Sequence, residues 1–118
     1  MECYDRHQVA LFGSFAPNGS SAVDQDSIKG EGITSVTRTG VGAFDIVFDD
    51  GFVDLVATLP GKQITSGAGD MLEFGAWDST TRTLAIRNVD DAGSGVEIAA
   101  NANNRISFLC VFSDASVP

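Results

Sequence analysis

Hydrophobic residues recur at every second position along most of this chain. From Val41 to Phe48, Phe44, Ile46 and Phe48 alternate with Ala43, Asp45 and Val47. Successive side chains of a strand point to opposite faces, so this spacing predicts a half-buried strand. Ile106–Phe112 places Ile106, Phe108, Cys110 and Phe112 on one face. Its other face, Ser107, Leu109 and Val111, is also apolar toward the end, which predicts a strand covered on both sides. His7–Phe15 groups Val9, Leu11 and Phe15, and Ile33–Thr39 is rich in β-branched residues, which favour strands.

Four further segments extend the pattern. Met71–Trp77 sets Leu72, Phe74 and Ala76 against Met71, Glu73 and Trp77. Thr81–Val89 pairs Leu84 with Ile86, and Val96–Ala100 reads as a short strand with Val96, Ile98 and Ala100 together. Phe52–Leu59 suits either one helical turn or a bulged strand. Turn residues separate these runs: Pro17–Ser21, Thr39–Gly42, Asp49–Gly51, Asp78–Thr80, Asp90–Gly95 and Asn101–Asn104, with Pro60-Gly61 opening a loop that continues through Gly69. Short strands spaced about 8–12 residues apart predict a sandwich or barrel. The expectation is an all-β, single-domain antiparallel β-sandwich or barrel-like fold with Gly-rich turns, with residues 1–6 as N-terminal tail, 7–113 as core and 114–118 as C-terminal tail.

Composition narrows the partners. The 118 residues include 16 Asp and Glu against 7 Lys and Arg, for a net charge of −9. Nucleic acid is a poor partner on that balance, since its binding relies on Lys and Arg neutralising phosphates, and anionic membrane surfaces are poor partners likewise; neither is expected. No apolar run approaches the ~18 residues of a membrane span, and the start of the chain has no apolar stretch resembling a signal peptide. Eight Phe against one Tyr and one Trp suggest rings that fill a core.

Candidate chemistry is sparse. His7 is the one histidine and would have to serve any Ser-His or Cys-His group; its place at a strand entrance fits a surface residue better. Cys3 lies in the tail and Cys110 reads as a small core residue, so neither a disulfide framework nor a zinc site is expected. Asp24 with Asp26, and Asp49 with Asp50 and Asp54, offer oxygens that Ca²⁺ could use, but the EF-hand spacing is missing and solvated turn acids are the simpler reading. Gly67–Asp70 is glycine-rich without the following Lys of a phosphate cradle. No catalytic, cofactor or metal residue is assigned, and the chain is not expected to be an enzyme. Arg38, beside the turn at Thr39–Gly42, could make a bidentate pair across a subunit contact or stand exposed at a strand end.

The stretch Gly32-Ile33-Thr34-Ser35-Val36-Thr37-Arg38-Thr39-Gly40-Val41-Gly42-Ala43-Phe44-Asp45-Ile46-Val47-Phe48-Asp49-Asp50-Gly51 resembles a segment of small β-sandwich structural proteins of tailed bacteriophages, where a strand, a Gly turn and a second strand follow one another. The resemblance is carried by these twenty residues and by the strand layout around them. It implies a virion part without catalytic residues: a capsid decoration or cement protein, commonly a trimer gripping several capsid subunits. The expected partners are then the major capsid protein and two further copies of the chain, and the expected location is the capsid surface after assembly in the host cytoplasm. The alternative is another virion part, such as a tail, head-fibre or host-glycan-binding module, for which Trp77 and Tyr4 are the candidate stacking rings. Contacts are expected from the tail Glu2–Arg6, with Tyr4 and Arg6, from Arg38, and from the loops Pro17–Ser21 and Lys62–Asp70.

Overall fold

The computed structural model describes residues 8–49, 52, 54–63, 71–101 and 103–113. Among the described residues eight strands follow one another: β1 (Gln8–Phe15), β2 (Lys29–Gly30), β3 (Ile33–Gly40), β4 (Ala43–Phe48), β5 (Asp54–Gln63), β6 (Met71–Asp78), β7 (Thr83–Val89) and β8 (Arg105–Ser113), with a 3-10 turn at Gln25–Ser27. They form two four-stranded sheets, ordered β2-β1-β8-β5 (sheet A) and β3-β4-β7-β6 (sheet B), with every pairing antiparallel. The expected all-β sandwich is the architecture observed.

The alternation seen in the sequence decides which side chains meet between the sheets. Sheet B supplies Val36, Phe44, Ile46, Phe48, Leu84 and Ile86; sheet A supplies Phe15, Ile106, Phe108, Cys110 and Phe112, all buried. Phe48 stands at the centre, edge-on to Phe108, Phe112 and Trp77 at ring separations of 6.3, 5.1 and 5.9 Å. Edge-to-face contacts of this kind add stabilisation beyond the area they bury. Phe15 meets Phe44 in the same way at 5.0 Å. Burial pushes the Cys110 thiol up to about 12, so the cysteine is an inert core residue at neutral pH.

Three local expectations change. Of the two readings of Phe52–Leu59, the bulged strand is the one observed: β5 begins at Asp54 and carries a bulge between Leu55 and Ala57. It then runs through Pro60 and Gly61, which the sequence assigns to a loop. Proline is tolerated because β5 is an edge strand, where a missing N–H costs no ladder bond. Val96–Ala100 is not a strand, because its backbone is bonded irregularly: Val96 N–H donates to the Asn88 carbonyl (2.8 Å) and the Ile98 carbonyl accepts from Gly19 N–H (3.0 Å). Within it only Ile98 is buried. In β6 a bulge between Phe74 and Trp77 flips the alternation, so Trp77 shares the inner face with Leu72 and Phe74 and not the outer face with Met71 and Glu73.

Candidate interaction surface

The outer faces of the two sheets differ in chemistry. Sheet B presents Ser35, Thr37, Asp45, Glu73, Asp78, Thr83 and Arg87 interleaved with Ala43, Val47, Ala85 and Met71, with Arg87 and Glu73 paired at 3.6 Å. That is a mixed face in which polar and charged side chains predominate. On sheet A the cross-strand register aligns Phe12, Leu109 and Leu59 in one row and Ala10, Val111 and Ala57 in the next. Phe12 is 69% exposed and Leu59 63%. Seven of the eight phenylalanines lie in the core or pack against it, and Phe12 is the exception. Nothing among the described residues covers the second face of β8, although its sequence predicts a cover.

Beside the Phe12 row lies one of small residues, Ser14, Ser107 and Gly61. The step in height between the rows leaves an open groove of about 530 Å³, with Phe12 and Leu59 on its walls and Lys29 at one end. Charge is distributed as unevenly as polarity. The strands of sheet A contain the bases Lys29, Lys62 and Arg105 but only one acid, Asp54, in a chain of net charge −9. Sheet A thus carries +2 and the rest of the chain −11.

The residues singled out from sequence fall elsewhere. Arg38 sits at the inner end of β3 and makes its forked pair within the chain, to both carboxylate oxygens of Glu97. Glu97 Oε1 also accepts from Gly42 N–H at 3.1 Å. Arg38 therefore ties the β3–β4 turn to the irregular segment before β8. Next to this pair, Asn88 is fully buried, but its amide is satisfied: Lys62 Nζ donates to its Oδ1 (2.8 Å) and its Nδ2 donates to the Val96 carbonyl (3.0 Å). Lys62, expected in a free loop, instead bridges the two sheets from the inner face of β5. Glu97 was not a sequence candidate, since nothing in a lone Glu between Val96 and Ile98 signals a partner 59 positions away.

The Arg38 guanidinium holds the Glu97 carboxyl below its ordinary value, with Gly42 N–H acting in the same direction and burial opposing both. A carboxyl depressed in the folded state stabilises at neutral pH, and that contribution disappears as pH falls through the folded value. Glu97→Gln is therefore expected to be less stable than the parent at pH 7, on the order of 1 kcal/mol for a partly exposed pair. Urea titrations at pH 7 and pH 3 should show the gap closing at the lower pH; a gap that stays constant rules out this role.

Trp77 is half-buried against Phe48 and Phe112, and its ring is part of the core edge. The loop Pro17–Ser21 is pinned by Gly19 to Ile98 and by the Asn18 side chain to the Ala22 carbonyl. Asp24 Oδ1 accepts from Asp26 N–H and caps the 3-10 turn, which is turn chemistry. Tyr4, Arg6, His7, Cys3, Asp50 and Gly67–Asp70 lie outside the described residues. Among the described residues no three of His, Cys, Asp or Glu gather in a way that could hold a metal ion. No family model, curated protein or solved structure matches this chain.

Proposed function

We propose that this chain is a structural binding module that works through protein–protein contact, and that it serves as a decoration protein of a tailed-phage head. In this reading it binds the outside of the major capsid protein shell as a homotrimer and stabilises the head. The observation that supports binding over chemistry is the sheet A outer face, an apolar surface almost free of acids on an otherwise acidic sandwich. Contiguous exposed apolar surface on a domain marks an interaction site. The assignment to a virion rests on the resemblance of Gly32–Gly51 alone. Cement action fits such a module, because several small contacts made at once by one assembly add to a large overall affinity.

The test is made on purified particles. The chain is expected in tail-bearing virions at a copy number comparable to that of the major capsid protein, and heads stripped of it should disrupt at lower temperature. Virions that lack the chain, or stripped heads of unchanged stability, would remove this reading.

A further inference from the structure

The geometry points to a second copy of this chain as the occupant of the sheet A outer face: we propose that copies associate through the rows Phe12–Leu109–Leu59 and Ala10–Val111–Ala57. Only the number of copies rests on the homotrimer reading above; the choice of face does not.

Three observations select a copy of the chain itself. The first is electrostatic. Two molecules that each carry −9 repel at most orientations. They approach at least cost where acids are missing, and sheet A, with Asp54 as its one acid, is that place. The second is composition. The centre of a homo-oligomer contact is apolar and depleted in charge, with the polar residues at its rim. Here the two apolar rows are central, Lys29 lies on the edge strand β2, and Asp54 and Arg105 lie at the strand ends. The third is size. Strands about 4.8 Å apart and about 3.3 Å per residue along their length give a face on the order of 400–500 Å². Joining two such faces buries about 800–1,000 Å² in total, close to the lower limit for a specific contact. Each row crosses the strands, so three copies arranged about an axis parallel to the strands stack them as two apolar layers.

The second apolar face of β8 also finds its reason here. Leu109 and Val111 remain half-buried in the single chain, and a neighbouring copy would complete their cover.

The experiment is light scattering and sedimentation equilibrium on the full chain at micromolar concentrations, with 50 and 500 mM NaCl. The expected mass is three times that of the 12.3 kDa chain. Association should tighten with salt, which screens the repulsion between acidic bodies. Phe12→Asp with Leu59→Asp should weaken it at least ~30-fold while leaving the circular dichroism and thermal midpoint of the monomer intact, since both side chains are exposed. Thr37→Asp on the outer face of sheet B should leave it unchanged. A dimer lost in the double variant would keep this face as the contact and overturn the trimer. A monomeric parent, or an oligomer that survives the double variant, would overturn the inference. If the parent is monomeric and the double variant no longer binds heads, the face belongs to the shell; the decoration reading then stands without the self-contact.

Discussion

Phe48→Ala is expected to remove about 3–5 kcal/mol of folding stability, the loss seen when a buried ring is deleted and its space only partly collapses. Phe48 has no exposed surface and joins the sheets through rings on β8 and β6. Deleting it opens the middle of the layer, with Phe108, Phe112 and Trp77 left facing a void. A domain of this size has roughly 5–15 kcal/mol in total, so the variant should be marginal at 25 °C and unfolded at mildly raised temperature. Urea unfolding followed by Trp77 fluorescence reads the change directly. Phe12→Ala provides the contrast: the same substitution on the outer face of β1 should cost under about 0.5 kcal/mol in the monomer. Equal losses at the two positions would mean that Phe48 and Phe12 do not stand on the inner and outer faces of the sandwich.

That contrast bears on how much of the structure was legible in the chain. Strict alternation identified the inner faces of β4 and β8, because period two leaves one choice of face once a core exists. The same rule, carried along β1 from Val9, Leu11 and Phe15, already assigns Phe12 to the outside; only the register of β1 against β8 and β5 shows that it aligns with Leu109 and Leu59. A single exposed Phe is ordinary, whereas a row of three apolar side chains is a surface, and rows are a property of pairing that no local window contains. The bulges explain the other failures. Two residues opposite one shift every later side chain to the other face, which places Trp77 inward; in β5 the turn residues Pro60 and Gly61 hide that the bulged strand continues to Gln63. The segment before β8 was misread for a different reason. Its apolar alternation is real, but its backbone bonds go to Gly19 and Asn88, and its Glu97 side chain accepts from Gly42 N–H and Arg38, partners that lie outside the segment itself.

The second large effect is expected at Gly42. Its φ is +65°, and an added Cβ would lie 2.4 Å from the Val96 carbonyl oxygen, 2.7 Å from the Asn88 carbonyl oxygen and 2.8 Å from Val96 N. All three are backbone atoms, which cannot swing aside as a side chain can. Gly42→Ala therefore meets two costs. A left-handed conformation costs a residue with a Cβ about 1–2 kcal/mol. Relieving the overlap must also pull the turn away from β7 and weaken the bonds Asn88 N–H to Gly42 (2.8 Å), Val96 N–H to Asn88 (2.8 Å) and Gly42 N–H to Glu97 (3.1 Å). Buried groups left without partners cost about 1–3 kcal/mol each, so the total should reach about 3 kcal/mol or more. Gly93 supplies the control. Its φ is +84° with nothing within 4 Å of an added Cβ, so Gly93→Ala carries the conformational cost alone. Urea unfolding of the pair separates strain from contact, and amide exchange should accelerate at Asn88 and Val96 in the Gly42 variant only. Equal losses in the two variants would show that the turn does not press against β7, and the tie from Arg38 through Glu97 to this turn would then have no part in holding the segment before β8.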